Sequence, residues 1–357
     1  MTDSDIKLYQ LGSFPLASGL NLPKAFIAYK TFGSPSSPAI IYPTWFSGLI
    51  SDNEWLIGTD KALNPEKYFI IVPALFGNGQ SSSPTNMPHL RKDIPFPDIT
   101  IRDNVTAQHK LVTEELGVKH ARLVLGWSLG AGQTYQWLTQ YPDFADLGVP
   151  FCGSAKTSLH NQIFLEGIKS SLLSAKGAAS GGIGASEVSD GGYRNWTAAE
   201  KETALKALAR VYAGWGLSQA FYRKKIHERL LGYESLEEFL VEFWEKWARS
   251  KDPENLLVQL HTWQAGDISE QDPFHGDFEE AIGSIKAKTL VIPSKTDLYF
   301  PPEDSELEVE LMAPGVGKVL PFNSIWGHWA GGPGISKTDF RWLDERLKFF
   351  LADGTFP

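Results

Sequence analysis

Short apolar runs alternate along the chain with stretches in which apolar residues recur every three or four positions. Four runs predict buried strands: residues 39–42, 68–72, 121–125 and 289–293. Helical spacing occurs at residues 100–116, 131–141 and about 338–351. Strands and helices that alternate in this way form a mostly parallel sheet covered by helices on both faces. The pattern therefore predicts an α/β fold.

The middle of the chain, from about residue 156 to 284, carries helical spacing without a convincing buried strand. Apolar residues between Leu236 and Trp247 recur at i, i+3, i+4, i+7, i+8 and i+11, which predicts a strongly amphipathic helix. We therefore expect one core domain formed by residues 1–155 and 285–357, interrupted by a helical lid at residues 156–284.

Composition and charge exclude several classes of function. The 357 residues are 42% hydrophobic and 21% charged, as in ordinary globular proteins, and the formal net charge of −9 argues against nucleic-acid binding. No apolar stretch reaches the roughly 18 residues of a membrane span, and the acidic N-terminus lacks a signal-peptide pattern. Cys152 is the one cysteine, so it can form no internal disulfide. We expect a cytoplasmic protein that binds neither nucleic acid nor a membrane.

The clearest chemical signal is the pentapeptide Gly126-Trp127-Ser128-Leu129-Gly130, which lies between a predicted strand and a predicted helix. In this context the G-x-S-x-G pattern predicts a tight, strained turn that projects the serine hydroxyl above the sheet edge. The helix that begins there directs free N–H groups and the positive end of its dipole at the same place, which favours a developing oxyanion. Ser128 is therefore the candidate nucleophile.

A serine hydroxyl needs a base, and the base needs a carboxylate that orients it. In a fold with this turn the order along the chain is serine, acid, histidine. Asp297 follows the predicted strand 289–293, and His328 lies in a turn 31 residues later. Three other aspartates lack the required place or order: Asp272, Asp304 and Asp339. Ser128, Asp297 and His328 thus form the candidate catalytic triad.

An oxyanion hole for this nucleophile needs two backbone donors. One N–H comes from the residue after the nucleophile, Leu129, and the other from the loop after the first core strand, residues 43–48. We choose Trp45 for the second donor, with Phe46 as the alternative, since little in the sequence separates them. No metal site is expected, because the chain has neither an H-E-x-x-H motif nor a pair of cysteines.

Residues 96–143 resemble the homoserine O-acetyltransferase family of α/β-hydrolase-fold proteins. The similarity includes the F-P-x-x-T-I-R-D segment, the helix with Ala107-Gln108, the nucleophile turn and the closing Tyr-Pro-Asp. Asp297 and His328 match that family's acid and base. The resemblance implies a sheet domain with a helical lid, a homodimer formed through the lids, and an acyl-serine intermediate in a deep tunnel.

Departures from that family bear on the substrate. Trp127 precedes the nucleophile where the family has glycine, and Trp329 follows the histidine where the family has an acidic residue that helps hold an amino-acid acceptor. Losing that charge disfavours a zwitterionic acceptor and favours a bulky apolar substrate against the two indoles, although core packing also explains them. By the same resemblance Arg210 is a candidate substrate contact. A surface charge on an amphipathic helix is the commoner explanation of such an arginine.

These features predict a serine enzyme that transfers an acyl group of a small-molecule substrate through an acyl-enzyme. The favoured form is a hydrolase of esterase or thioesterase type, which needs no cofactor. The alternative is an acyl-CoA-dependent O-acetyltransferase with a changed acceptor, and acetyl-CoA would be a co-substrate only in that case. A third interpretation, a non-catalytic ligand-binding protein, gives no reason to keep serine, acid and histidine in this order.

Overall fold

A computed structural model describes residues 5–87, 90, 96–183 and 195–357, which form one eight-stranded sheet with connecting helices. The strands are β1 (Lys7–Pro15), β2 (Asn21–Phe32), β3 (Ala39–Ile41), β4 (Phe69–Pro73), β5 (Ala121–Trp127), β6 (Ala145–Phe151), β7 (Lys288–Val291) and β8 (Gly317–Val319). Their order across the sheet is β1-β2-β4-β3-β5-β6-β7-β8. β1 pairs antiparallel with β2 and β2 with β4, whereas every pairing from β4 across to β8 is parallel. The predicted α/β fold is confirmed.

Helices make most of the connections between the strands. The helices are α1 (Ile101–Lys110), α2 (Leu129–Gln140), α3 (Leu159–Ser174), α4 (Ala198–Gly216), α5 (Gln219–Arg223), α6 (Ile226–Arg229), α7 (Leu236–Phe239), α8 (Lys246–Arg249), α9 (Pro253–Gln264), α10 (Phe278–Gly283), α11 (Pro302–Glu310) and α12 (Lys337–Asp353). The π-helical turns Leu111–Glu115 and Leu240–Glu245 extend α1 and join α7 to α8, and Ile50–Leu56 and Gly327–Gly331 are 3₁₀ turns. None of the helices in the described ranges is long and apolar enough to cross a membrane.

All four predicted strands form, as β3, β4, β5 and β7. The prediction missed β6, where Gly148 and Pro150 interrupt the apolar run, and the three-residue β8. It also missed the antiparallel strands β1 and β2, in which exposed residues break any apolar run. A continuous apolar pattern marks only strands that are buried on both faces.

The carboxyl ends of parallel strands share one edge of a sheet, and the predicted site residues follow them there. The loop 43–48 comes after β3, Ser128 after β5 and Asp297 after β7. His328 lies in the 3₁₀ turn Gly327–Gly331, beyond β8. The topology thus brings Ser128 and His328, 200 positions apart in the chain, to the same edge.

The region predicted to be a lid is helical. The two segments that connect it to the sheet domain, which we call its base, are hydrogen-bonded to each other. Helices α3 to α10 all lie between β6 and β7 in the chain. The N–H of Thr157 donates to the carbonyl of Gly266 at 2.8 Å, and the N–H of Ile268 donates to the carbonyl of Ala155 at 3.2 Å. The chain therefore leaves the sheet domain and returns to it through two adjacent, hydrogen-bonded segments, as an inserted unit does.

The inserted segment ends near Ile268, before the boundary predicted at residue 284. Gln271 Nε2 donates to Thr139 Oγ1 at 3.3 Å, and Gln136 Nε2 donates to Gln271 Oε1 at 2.9 Å. The chain beyond the base therefore packs on α2, in the core. Residues 184–194 of the predicted lid lie outside the described residues. The division into core and lid stays a prediction. The contacts of Gln271 concern one boundary of it, the one predicted at residue 284.

Candidate active site

The turn between β5 and α2 holds Ser128 in a strained backbone conformation. Its φ is +59° and its ψ is −127°, a region that residues with a side chain rarely adopt. A Cβ atom at Gly126 would lie 2.1 Å from the carbonyl oxygen of Gly130, so the turn closes only with glycine there. The N–H of Ser128 donates to the carbonyl of Phe151 in β6 at 3.1 Å. The predicted strained turn is therefore present and is fixed to the sheet.

Three side chains meet at this turn through two hydrogen bonds. Ser128 Oγ lies 2.9 Å from His328 Nε2, and His328 Nδ1 lies 2.7 Å from Asp297 Oδ2. The side chains of His328 and Asp297 are almost wholly buried. An ionised carboxylate only accepts hydrogen bonds, so Nδ1 carries the proton and the Nε2 lone pair faces the serine hydroxyl. The arrangement can therefore take the proton of Ser128.

Backbone donors hold Asp297 in this orientation. Its second oxygen, Oδ1, accepts from the N–H of Tyr299 at 2.8 Å and of Phe300 at 3.3 Å. The neighbouring Thr296 Oγ1 accepts from the N–H of Gly327 at 3.0 Å. The loop that carries the acid and the loop that carries the histidine are therefore fastened to each other beside both side chains.

The rival aspartates have other contacts. Asp339 accepts from Ser324 Oγ, and Asp272 is largely exposed beside His275. Asp304 lies in the first turn of α11, where burial raises the pKa of its carboxyl. Of these aspartates and Asp297, it is Asp297 that is hydrogen-bonded to the histidine, in agreement with the order expected from the sequence.

The backbone N–H groups of the two predicted oxyanion donors are free. The loop 43–48 passes against the nucleophile turn, since a Cβ atom at Gly130 would lie 3.3 Å from a carbonyl oxygen of that loop. Within the ranges that the structure describes, neither Leu129 nor Trp45 donates its N–H to the protein, and the same holds for Phe46. Buried N–H groups without a partner are rare, so free donors beside a nucleophile can serve a developing oxyanion.

The indole of Trp127 is enclosed by protein groups. Its ring stacks on the imidazole of His328 with 4.8 Å between centroids, and its Nε1 donates to the His328 carbonyl at 3.2 Å. Trp45 and Trp329 pack against it edge-on at 4.8 and 5.7 Å. These contacts support the histidine from one side. A substrate contact at Trp127 stays a prediction.

Trp329 belongs to a cluster of rings, Tyr212, Trp244, Tyr299 and Trp329, that we call the aromatic layer. The Trp329 ring packs against Trp244 at 4.9 Å and Tyr212 at 6.4 Å between centroids. Its Nε1 is buried and has no hydrogen-bond partner among the described residues, so it is available to an acceptor from outside the chain. The predicted substrate contact at Trp329 stays a prediction, and this free donor favours it.

The two tyrosines of the aromatic layer were not predicted from the sequence. The Tyr299 ring lies 4.6 Å from the His328 ring, and Tyr212 of α4 packs against Tyr299 at 5.7 Å. Burial raises the pKa of both phenols, so both stay neutral. Tyr299 is two residues after Asp297, a position that could have drawn attention to it. Tyr212 reaches the site through the packing of the insertion, for which the sequence carries no comparable signal.

Arg210, unlike the residues of the aromatic layer, is partly exposed and lies beside two carboxylates. Its side chain is 43% exposed, and its guanidinium donates to the carboxylates of Glu237 and Glu245. These two carboxylates raise the pKa of Arg210. A substrate carboxylate would have to displace both of them. The structure therefore favours the surface-charge explanation and lends no support to the predicted substrate contact at Arg210.

Cys152, the lone cysteine, is buried and unpaired. Burial raises the pKa of its thiol, which keeps the thiol protonated. Across the described part of the chain, no group of three or more His, Cys, Asp or Glu side chains is placed to hold a metal ion.

Known proteins share this architecture along nearly the whole chain. An ethyl acetate hydrolase of Pseudomonas veronii is 35% identical over 351 residues, which cover 97% of this chain and 94% of that protein. A homoserine O-acetyltransferase of Nostoc punctiforme is 26% identical over 318 residues, covering 84% and 85%. The structure of an acetylester hydrolase from Corynebacterium glutamicum matches with a TM-score of 0.87 and 32% identity, over 97% of this chain and 95% of that one. The chain belongs to the homoserine O-acetyltransferase-like family of α/β-hydrolase-fold enzymes.

Within this family the chain is more similar to esterases than to the acetyltransferase, at 35% against 26% identity. The family resemblance seen in residues 96–143 and the α/β-hydrolase fold are confirmed, and the similarity supports hydrolysis as the reaction of this family member. No family model matches the chain.

Proposed function

We propose that the protein is a carboxylester hydrolase in which Ser128, His328 and Asp297 form a catalytic triad. The observation that carries the proposal is the continuous hydrogen-bonded line from Ser128 Oγ through the imidazole to the Asp297 carboxylate. That line ends beside free backbone donors at Leu129 and in the loop 43–48. Nucleophile, base, orienting acid and oxyanion donors are thus all provided by one sheet edge.

The reaction that we propose runs in two halves. Ser128 Oγ attacks the ester carbonyl carbon while His328 Nε2 takes its proton, and the free N–H groups receive the developing oxyanion. The C–O bond then breaks, and Nε2 returns the proton to the leaving alcohol. A water molecule attacks the acyl-serine, gives its proton to Nε2 and releases the carboxylic acid, after which Ser128 Oγ regains its proton. Asp297 stabilises the imidazolium in both halves.

For the substrate we propose an ester with a short, apolar acyl group. The relatives named for ethyl acetate and for acetyl esters act on small acyl groups by their names. The rings of Trp127 and Trp244 each pack against Trp329, at 5.7 and 4.9 Å between centroids, so the surroundings of the histidine are apolar. The proposal keeps the apolar character expected from the tryptophans and replaces the bulky substrate by a compact one.

Hydrolysis is proposed over transfer because an indole, Trp329, follows the histidine and Arg210 is held by two carboxylates. To test this, p-nitrophenyl acetate and ethyl acetate are each offered with water alone, and acetyl-CoA is offered with a panel of alcohols. We expect acetate release from the esters, its loss in Ser128→Ala, and no acceptor-dependent CoA release. CoA release that exceeds hydrolysis would support an O-acetyltransferase, and inactivity in both arms would contradict the proposal.

We also propose that two copies associate through the inserted helices. Leu159 and Ile163, one turn apart on α3, are 79% and 62% exposed, and Leu230 of the same region is 68% exposed. Exposed apolar side chains at neighbouring positions are typical of an interface. Light scattering should give twice the monomer mass, and Ile163→Glu should halve it, whereas the matched change Leu8→Glu on β1 should not. A wild-type monomer would contradict this.

A cytoplasmic location is the third part of the proposal. It is supported by the buried, unpaired Cys152, since a free thiol persists in a reducing compartment. Cell fractionation with a tagged full chain should recover the protein with cytoplasmic markers. Recovery with secreted or membrane fractions would contradict it.

A further inference from the structure

We propose that Gln133, oriented by Gln108, is a positioning residue that aims the N–H of Trp45 at the oxyanion. The inference rests on the proposed function, because it concerns the oxyanion hole of that reaction. Both glutamines are completely buried. Gln133 Nε2 donates to the carbonyl of Thr44 at 2.8 Å and to the carbonyl of Leu129 at 3.2 Å. One buried amide therefore links the nucleophile helix to the loop after β3.

The link acts on the peptide group that carries the proposed donor. The Thr44 carbonyl and the Trp45 N–H belong to the same planar, trans peptide, in which C=O and N–H point in opposite directions. Fixing the carbonyl on Gln133 therefore fixes the direction of the Trp45 N–H, away from Gln133. The N–H of Trp45 makes no hydrogen bond to the described residues. The Phe46 N–H is also free, and the carbonyl of its own peptide, that of Trp45, accepts from the N–H of Gly48 at 2.9 Å. The Gln133 link therefore acts on the Trp45 N–H, and it is that donor which the proposal concerns.

The direction of each amide in the chain of bonds is set by an indole. Trp137 Nε1 can only donate, and it donates to Gln108 Oε1 at 2.8 Å. Gln108 must then present Nε2 to its other neighbour, and it donates to Gln133 Oε1 at 2.6 Å. Gln133 in turn is left with Nε2 facing the Thr44 carbonyl. A donor-only group on α2 thus fixes the orientation of two side-chain amides and, through them, of the loop peptide.

The same loop is fastened a second time at its far end. The N–H of Ser47 donates to Gln259 Oε1 of α9 at 2.6 Å, and Gln259 Nε2 donates to the Gly77 carbonyl at 2.9 Å. Thr44 Oγ1 accepts from the N–H of Leu75 at 3.1 Å. With both ends held, the peptide between Thr44 and Trp45 has little freedom to rotate, as a preorganised oxyanion donor requires.

Gln136 supplies a matched control on the same helix. It is buried like Gln133, but its amide bonds to Gln140 and Gln271, outside the oxyanion loop. Replacing either glutamine by methionine removes one buried amide from α2 with little change in volume. A merely structural role would make the two variants behave alike, whereas a positioning role affects the reaction in one of them.

The test compares Gln133→Met, Gln136→Met and wild type by ester hydrolysis and by binding of a trifluoromethyl ketone, whose tetrahedral adduct carries an oxyanion. We expect kcat of Gln133→Met to fall about 10- to 100-fold with KM within about threefold, as for a misplaced oxyanion donor. The inhibitor affinity should fall by the same factor as kcat/KM. Gln136→Met should keep kcat and inhibitor affinity within about threefold of wild type.

Equal kcat and inhibitor affinity in the two variants would overturn the inference while leaving the esterase proposal intact. Wild type without hydrolytic activity would overturn both. If Gln133→Met fails to fold, Gln108→Met is measured in its place, because it leaves Gln133 present but unoriented. We then expect a loss of about threefold to tenfold in kcat with the same parallel loss of inhibitor affinity. An unchanged kcat in a folded Gln108→Met would contradict the inference.

Discussion

The catalytic edge of the sheet and the inserted helices that face it are built in opposite ways. At the sheet edge both nitrogens of His328 and both carboxylate oxygens of Asp297 are hydrogen-bonded, each to a named partner. Where the inserted helices face that edge, rings pack on rings: Tyr212 and Trp244 of the insertion pack against Trp329, whose Nε1 has no hydrogen-bond partner in the described ranges. On one side of the site, hydrogen bonds fix the orientation of the catalytic side chains. On the other side, ring packing determines the shape of the site.

Hydrogen bonds are more strictly directional than ring packing, so the two regions should respond differently to substitution. Replacing one side-chain atom at the sheet edge changes which group can accept a proton, so we expect the main effect on kcat. Replacing a ring in the aromatic layer alters how the substrate fits and how much of it is buried, so we expect the main effect on substrate affinity. The predictions below are ordered from the largest expected effect to the smallest.

Asp297→Asn should cause the largest loss. The amide can accept from Nδ1 only in one orientation and can donate in the other, so His328 is no longer held in the tautomer that accepts the serine proton. We expect kcat to fall about 10,000-fold, as for the equivalent exchange in other serine triads, with KM nearly unchanged. The measurement is steady-state hydrolysis of p-nitrophenyl acetate, with circular dichroism to confirm the fold. A loss under tenfold would remove Asp297 from the triad.

Glu308→Gln tests whether buried polar groups beyond the triad and oxyanion loop affect stability alone. Glu308 accepts from the Tyr135 hydroxyl and the Ala155 N–H, each at 2.6 Å, and burial raises its pKa from 4.5 to about 8. Between these pH values the folded protein keeps a proton that the unfolded chain releases. The free energy of unfolding therefore falls as pH rises.

The neutral amide of Glu308→Gln removes this dependence. We expect the drop in unfolding free energy between pH 5 and pH 8 to shrink by about 2–4 kcal/mol, with kcat unchanged. Urea unfolding at both pH values measures it, and Glu310→Gln, at an exposed position two residues on, is the matched control. An unchanged pH slope would show that Glu308 does not hold a proton in the folded state, and a lost kcat would tie it to the reaction.

Trp329→Phe tests the aromatic layer by removing one N–H and keeping most of the ring. If the free Nε1 donates to substrate, KM for short esters should rise about threefold to tenfold, the value of one hydrogen bond, while kcat changes less. Trp326→Phe is the matched control, since Trp326 is equally buried and packs on Phe221. Identical KM values for the two variants would show that Trp329 only packs.

Arg210→Gln should have the smallest effect. The guanidinium is 43% exposed and pairs with the exposed carboxylate of Glu237 and the buried carboxylate of Glu245. An exposed pair such as Arg210–Glu237 contributes about 0–1 kcal/mol to stability. We expect kcat and KM within about twofold of wild type. A KM that rises more than tenfold would show that Arg210 contacts the substrate.

Local signals explain which parts of the molecule could be predicted from the sequence. The turn at Ser128 has its own glycines, and Asp297 and His328 follow strand ends in a fixed order, so each could be found without knowing its neighbours. The buried strands could be found because they are apolar throughout. The half-exposed strands β1 and β2 carry no such pattern.

Residues whose role depends on a distant partner could not be predicted. Gln133 and Gln108 are ordinary polar residues of helical segments until the fold places them in one chain of hydrogen bonds with Thr44. Tyr212 reaches the site only through the packing of α4. Resemblance suggests a substrate contact at Arg210, but the carboxylates that hold this side chain lie 27 and 35 positions away in the chain.

The central claim is that Ser128 is the nucleophile, and intact mass after treatment with a fluorophosphonate tests it most directly. Attack by Ser128 Oγ displaces fluoride and leaves a phosphonyl adduct on that oxygen. We predict one adduct on the native protein, mapped to Ser128 by peptide analysis, and none on Ser128→Ala or on heat-unfolded wild type. An adduct that persists in Ser128→Ala, or native protein that stays unmodified, would contradict the account.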